Sequence, residues 1–344
     1  MDEAAVTRYL QHVMPEAGEL RVEGLRRILG GASRLTWSCD ARWTEDGAER
    51  RQGMIFRIDP PASLLPANDI EHRVYRGMAD SDVPVPGVLW VEQDADWLGG
   101  RFFVMERIDG CETAPQALFR PPYDAVARTI GERLFEIGGR IAAFDWHAAG
   151  WDFLAAPDPA DCWRVELDDW SGRIEAARLD TQPVARFAIA WLRRNPPPPA
   201  RRVSVVHGDH RTGNVLYDES GVIRGVLDWE MAHLGDPVED LAWTCALDWR
   251  WGRDDLYGGV IEPEAAIAIW ERASGLTFDR DAFHWWSLFA AVKAQGIWLT
   301  GERSYLDGET EELRLPMIGS IFKSREDSRM LELLEETRLP HGAP

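Results

Sequence analysis

Hydrophobic spacing divides this chain into a strand-rich first third and a helix-rich remainder. Residues 4–14 have the three- and four-residue apolar spacing of a short amphipathic helix. Residues 20–43 read as two strands around Gly30-Gly31-Ala32-Ser33, and residues 53–58 add a third after the turn signal Thr44-Glu45-Asp46-Gly47. Pro60-Pro61 ends that meander, and Asn68 or Asp69 caps a helix running to about Met78. Residues 88–92 and 101–108 are two further strands with a turn at Gly99-Gly100. The spacing therefore predicts an antiparallel five-stranded sheet with one helix inserted after its third strand.

Beyond Asp109-Gly110 the period changes. Ile130, Leu134, Ile137, Ile141 and Phe144 mark one face of a long helix over 123–147. Helices over 161–179 and 183–194 follow, and the prolines at 196–199 stop the last of them. Residues 203–206 are a β-branched run, hence a short buried strand. Two apolar runs, 215–217 and 222–227, flank Asp218-Glu219-Ser220-Gly221 and read as a hairpin. Helical segments near 237–249, 263–274, 281–300 and 309–336 complete the chain; Pro263 falls in a first turn and Gly275 just past a last one. The fold class expected is α+β in two lobes, a sheet lobe over 1–108 and a helical lobe over 109–344.

The strand at 203–206 delivers His207-Gly208-Asp209 to its carboxyl end, and Asn214 opens the hairpin that closes at Asp228. Asn214 and Asp228 are equally far from the hairpin tip, so pairing is expected to set them opposite each other. An amide oxygen and a carboxylate side by side, with a second carboxylate five residues earlier, suit Mg²⁺, which takes a few protein oxygens together with phosphates and water. The same order of parts, a base, an Asn and an Asp after a hairpin, serves phosphoryl transfer in protein kinases. Each residue alone fits an ordinary Gly/Asp-rich loop; their joint spacing favours the chemical reading.

Composition then narrows the partners. Lys+Arg 38 against Asp+Glu 58 gives a formal net charge of −20, a surface that repels a phosphate backbone and disfavours nucleic acid. Cys39, Cys111, Cys162 and Cys245 show no paired spacing, so neither a disulfide framework nor a zinc site is indicated. The first ten residues lack the apolar core of a signal peptide, and the richest apolar window, 283–299, is broken by His284, Lys293 and Gln295. A cytoplasmic protein with no membrane partner is expected, as a monomer or weak homodimer.

Small residues at Gly30, Gly31 and Ser33 permit backbone N–H groups to approach phosphates, although no Walker A sequence and no three-glycine loop occurs. Arg57 ends the third strand and Glu71 lies in the helix after it, the places of a phosphate-binding cation and its ion-pair partner. Arg stays charged and can grip two phosphate oxygens, so it serves where a kinase has Lys, with altered geometry. By position, the backbone C=O of Glu106 and N–H of Ile108 are candidates to read an adenine edge.

A family resemblance rests on these residues. His207-Gly208-Asp209-His210-Arg211-Thr212-Gly213-Asn214, Leu227-Asp228-Trp229-Glu230, Leu234-Gly235-Asp236-Pro237 and Asp240-Leu241 resemble the aminoglycoside phosphotransferase and choline-kinase-like superfamily. Val83-Pro84-Val85-Pro86, the strand Phe103-Val104-Met105-Glu106-Arg107 and the Gly30-Gly31 turn match it too. The chain most resembles the branch fused to acyl-CoA dehydrogenases in some animal proteins, which also carries Arg at the place of Arg57. The resemblance covers about residues 20–250. It implies a bilobal protein-kinase-like fold and an ATP- and Mg²⁺-dependent kinase, GTP remaining open as the donor. It further implies Asp209 as catalytic base, Arg211 as a cation near the transferred phosphoryl, Asn214 and Asp228 as metal ligands, His207 as structural, and Asp236 and Asp240 as braces of the loop. Glu230 is left between metal support and a helix-entry hydrogen bond.

Three rivals stand beside this reading. His207-x-Asp209-His210 is half of a zinc-hydrolase cluster, but Val205 stands where a further His belongs. A non-catalytic nucleotide-binding module is compatible with Arg57 and the sparse glycine loop. A protein kinase is disfavoured, because the space between Asp228 and Asp236-Pro237 leaves no room for an activation loop. The acceptor is expected to be a small molecule with a hydroxyl: an aminoglycoside, an amino alcohol, a sugar or a hydroxyacyl compound. Eight acidic residues against three Arg over 152–180 suit a cationic acceptor, or simply a solvated helix face; the Trp-rich helices suit an apolar wall, or simply a core.

Overall fold

A computed structural model describes residues 1–28, 34–59, 69–177, 179–310 and 313–336. Gly30, Gly31 and Ser33 lie outside the described residues. Helix α1 (Glu3–Val13) starts where the Asp2 carboxylate accepts the Ala5 N–H at 2.8 Å, a side-chain cap for an otherwise orphan donor. It packs on a sheet built from β1 (Gly18–Ile28), β2 (Leu35–Glu45), β3 (Ala48–Ile58), β4 (Val88–Glu92) and β5 (Phe102–Glu106). The strand order is β1-β2-β3-β5-β4 and every pairing is antiparallel. Helix α2 (Ile70–Met78) enters between β3 and β4, as the apolar spacing predicts. One face of the sheet and α1 enclose Leu10, Met54, Phe56 and Val104; the other face, through Ile55 and Phe103, meets α2 and the core of the second lobe.

The rest is helical with two small sheets. Helices α3 (Ala127–Ala143), α4 (Cys162–Ala177) and α5 (Pro183–Arg194) precede β6 (Ser204–Val206), the hairpin β7 (Val215–Tyr217) and β8 (Ile223–Val226), and β9 (His233–Gly235), which pairs with β6. Helix α6 (Val238–Thr244) is short and almost wholly buried; α8 (Arg280–Leu306) packs against it, while α7 (Pro263–Ser274) packs on α3 and α9 (Arg314–Glu336) on α8. The helix expected over 237–249 is thus two pieces, α6 and a 3₁₀ turn at Leu247–Arg250, because Cys245 and Ala246 break the helical run between them. Trp170, Trp285 and Trp286 are core, not exposed walls. Among the described residues no helix is long and apolar enough to cross a membrane.

One expectation is corrected by the hairpin register. Val215 pairs with Val226, and the Leu227 N–H donates to the Asn214 carbonyl at 2.8 Å, so Asn214 faces Leu227. An irregularity between Leu216 and Tyr217 leaves Arg224 unpaired and moves the residue facing Asn214 from Val226 to Leu227, one short of Asp228. Asp228 follows, with φ 70 and ψ 52, a left-handed conformation that a non-glycine residue holds only where its surroundings fix it.

Candidate active site

The loop after β6 is held from behind by α6. The Asp240 carboxylate accepts the His207 N–H at 2.6 Å and the Gly208 N–H at 2.9 Å, two backbone donors that the end of a three-residue strand leaves unpaired. His207 is fully buried and burial holds its imidazole well below its ordinary pKa. Its Nε2 lies 2.9 Å from the Leu227 carbonyl and its Nδ1 accepts the Asp209 N–H at 3.1 Å, which fixes the neutral tautomer with hydrogen on Nε2. The ring therefore ties the loop before Asp209 to the strand before Asp228. Gly208 has φ +84, and a Cβ there would fall 2.6 Å from the Met231 carbonyl oxygen; only glycine passes this point. Asp236 does a different job from the brace expected of it: it caps α6 through the Val238 N–H and accepts the Trp286 indole N–H at 3.1 Å.

The Asp209 carboxylate is oriented by three donors. Its Oδ1 accepts Arg211 Nε at 2.9 Å and the Trp243 indole at 2.7 Å; its Oδ2 accepts Asn214 Nδ2 at 2.7 Å. Asn214 Nδ2 also donates to the Asp209 carbonyl at 2.9 Å, so both bonds fix the amide with its oxygen turned away from Asp209. Arg211 stacks on Trp249, its guanidinium carbon 4.5 Å from the ring centroid. The Asp228 N–H donates to the Tyr75 hydroxyl of α2 at 3.0 Å, a direct bond between lobes.

Arg57 and Glu71 meet as expected: Arg57 Nη2 lies 3.0 Å from Glu71, 2.8 Å from Asp228 and 3.6 Å from Glu230. Burial works against the Arg57 charge, but Glu71, Asp228 and Glu230 outweigh it and raise its pKa above the ordinary value. Sequence reasoning missed Arg34, whose guanidinium also bonds Glu71 and reaches Asp59 at 2.8 Å. Position alone, directly after the Gly30–Ser33 segment, was its signal. Glu106 at the hinge bonds Gly87, its N–H to the Gly87 carbonyl at 2.9 Å and its carboxylate from the Gly87 N–H at 3.0 Å. Ile108 lies over β8, where a Cβ on Gly225 would come 3.2 Å from its Cδ1. Arg107 between them binds Ser38, the Cys39 carbonyl, Asp40 and Asp109, fastening the hinge to β2.

A second group of charges lies behind the loop and was also missed. Lys293, 1% exposed, donates to the Gly208 carbonyl at 2.7 Å and to Glu239 at 2.9 Å. His233 Nε2 lies 3.1 Å from Glu239 and 3.4 Å from Glu166, and its Nδ1 faces the Met231 carbonyl at 3.0 Å. Both ring nitrogens face acceptors only, so the ring is an imidazolium: burial opposes its charge, yet the two carboxylates push its pKa up to about 10. Burial likewise opposes the Glu239 charge, while Lys293 and His233 pull it down to about 2. Glu166, His233 and Glu239 have metal-ligand composition. The proton on His233 and the Lys293 ammonium already balance both carboxylates, leaving no charge for a metal to neutralise. A cavity of about 1090 Å3 lies elsewhere, between α5, α7, α8 and α9; none of Asp209, Asn214 and Asp228 lines it.

A profile of the phosphotransferase enzyme family, APH, matches residues 24–286. The chain belongs to the phosphotransferase enzyme family. Mouse acyl-CoA dehydrogenase family member 10 is 30% identical over 197 residues, covering 56% of this chain, and the chicken family member 11 is 26% identical over 317 residues, covering 86%. This phosphotransferase chain spans 18% and 39% of the length of those two relatives. Among solved structures, a Ralstonia eutropha protein described as a candidate aminoglycoside phosphotransferase superposes with TM-score 0.75 at 21% identity, over 97% of this chain and 98% of that one. A thermostable mutant of aminoglycoside phosphotransferase APH(4)-Ia, in ternary complex with AMP-PNP and hygromycin B, gives TM-score 0.60 at 18% identity over 95% and 98%. These likenesses establish the protein-kinase-like fold of the phosphotransferases.

Proposed function

We propose that this phosphotransferase transfers the γ-phosphoryl group of ATP to the hydroxyl of a small acceptor. One observation carries the reading. Asp209 Oδ1 has both its acceptor positions filled by Arg211 and Trp243, whereas Oδ2 holds only the Asn214 amide. Oδ2 therefore keeps one direction in which to accept a hydroxyl proton, with the carboxylate locked so that this direction is fixed. A positioned base of this kind contributes on the order of 10²–10⁴ in rate. Arg211 supplies positive charge beside the base, and Arg57 beside Asp228 supplies it on the nucleotide side, where the transferred phosphoryl needs neutralising.

Mg²⁺ fits the residues present. The Asn214 amide oxygen is turned away from Asp209, and Asp228 is a third exposed with one oxygen committed to Arg57, so two hard oxygen donors remain available. Asn214 and Asp228 would hold the ion, which when bound neutralises phosphate charge. Glu230, close to Arg57, then serves the cation side of the site. Adenine and guanine nucleotides both suit this fold, since APH(4)-Ia is seen with AMP-PNP and aminoglycoside 2'-phosphotransferase-IIIa with GDP, so GTP stays open beside ATP as the donor. The same proposal assigns nucleotide binding to the lobe over 1–108 and acceptor binding to the lobe over 109–344. A screen of ADP release against aminoglycosides, amino alcohols, sugars and hydroxyacyl compounds tests the reading. Wild-type turnover with one of these classes, lost in Asp209→Ala while MgATP still binds, is expected. Turnover unchanged in Asp209→Ala refutes the base, and stoichiometric zinc in the purified protein refutes the reaction class.

A further inference from the structure

Six charged side chains alternate in sign from the edge of the sheet to the end of the hairpin. Arg101 lies 3.2 Å from Asp59; Asp59 lies 2.8 Å from Arg34; Arg34 hydrogen-bonds Glu71, while Arg57 meets Glu71 as an ion pair at 3.0 Å; and Arg57 lies 2.8 Å from Asp228. Glu71 is wholly buried, so its carboxylate needs a cation at all times. In the kinase plan a single cation serves both that carboxylate and the phosphates. Here two guanidiniums share it. Arg57 also keeps a buried Nε with no partner, so its fork is not used up by the contacts it makes.

We infer that Arg34 is the standing partner of Glu71 and that Arg57 is thereby released to act as a mobile cation between Asp228 and the nucleotide phosphates. The inference rests on the ATP reading above. Arg57 neutralises Asp228 and Glu230. With phosphates and a divalent cation bound, Asp228 would hold the cation and Arg57 would turn its fork to phosphate oxygens. Glu71 is not left as a bare buried charge, because Arg34 stays on it. Arg34 is a positioning residue: Asp59 and Glu71 hold it, and it acts on nucleotide through Arg57. Among the described residues, removing Arg34 leaves Arg57 as the only cation on Glu71, and phosphates must then compete with a buried carboxylate for it.

The test is MgATP binding by titration calorimetry on the full chain, which needs no acceptor. Arg34→Met is expected to weaken binding at least tenfold. Adding Glu71→Gln to that variant is expected to recover most of the loss, since the buried charge that captures Arg57 is gone. Undiminished binding by Arg34→Met overturns the inference, and so does a loss that Glu71→Gln leaves in place, as would happen if Arg34 contacted phosphate itself. Should Arg34→Met fail to fold, Arg34→Lys carries the same test: one ammonium cannot span Asp59 and Glu71 together, so a roughly threefold loss recovered by Glu71→Gln is expected, and wild-type affinity overturns the inference. Absence of MgATP binding by the wild-type protein would instead refute the proposed function.

Discussion

Lys293→Met removes the one ammonium that joins the catalytic loop to the buried charges behind it. Methionine keeps most of the volume of the lysine stem, so packing against Trp170 and Trp243 changes little. What is lost is the donor to the Gly208 carbonyl at 2.7 Å and to Glu239 at 2.9 Å. Glu166 and Glu239 then face a single cation, His233, and one buried carboxylate charge goes uncompensated. Breaking such a pair by removing one partner costs about 3–5 kcal/mol. For 344 residues, an unfolding entropy of roughly 2.1 cal/mol/K per residue turns that cost into a fall in Tm of about 4–7 °C. Thermal and urea unfolding at pH 7.5 measure it, and single-turnover transfer on the folded variant should be slowed at least tenfold because the Gly208–Asp209 peptide loses its anchor. Adding Glu239→Gln removes the stranded charge and should return at least half of the lost stability. A Lys293→Met protein within about 1 °C of wild type would show that the ammonium is not compensating Glu239, and the reasoning would fail.

Asp228→Ala should abolish the Mg²⁺-dependent thermal shift with ATP; a shift of wild-type size counts against Asp228 as metal ligand. Gly208→Ala should cost about 1–3 kcal/mol and most of the activity, because its Cβ meets the Met231 carbonyl at 2.6 Å; a fully active, equally stable variant would contradict the close approach. His233 gives a pH limb: its pKa rises on folding from 6.5 to about 10, so its stabilisation is complete below pH 6.5 and is lost as pH climbs toward 10. His233→Gln should flatten the alkaline part of a stability–pH curve by on the order of 3–5 kcal/mol between those limits; a limb of unchanged depth would assign it elsewhere. Asp209→Asn should retain MgATP affinity within about threefold and slow transfer on the order of 10²–10⁴; unaltered transfer removes the base.

The strands and the order of the helices were legible because each follows from local chemistry. Period-two and period-3.6 patterns place α2 and α5 almost to the residue, whereas β3 begins at Ala48, ahead of the expected 53, and the histidine, glycine and aspartate after β6 announce a tight loop at a strand end. The hairpin register was not legible, because a bulge at Leu216–Tyr217 depends on packing rather than on turn residues. Lys293 is the sharper lesson. In sequence it only interrupts an apolar window; its meaning comes from Glu239, His233 and Glu166, which three separate elements bring to it. Arg34 was hidden for the same reason, since Asp59 and Glu71 are 25 and 37 residues away. Acidic residues over 152–180 largely pair with arginines at the surface, as Asp168 does with Arg193 and Asp169 with Arg173, while Glu166 alone turns inward to His233.

Helix α6 is only seven residues long, yet Glu239, Asp240 and Trp243 on it reach Lys293, the His207–Gly208 backbone and the Asp209 carboxylate. The Asp209 carboxylate, the backbone before it and the Glu239–Lys293 pair are thus all tied to one buried helix. The position of the Asp209 carboxylate is therefore set by the core of the helical lobe rather than by its surface.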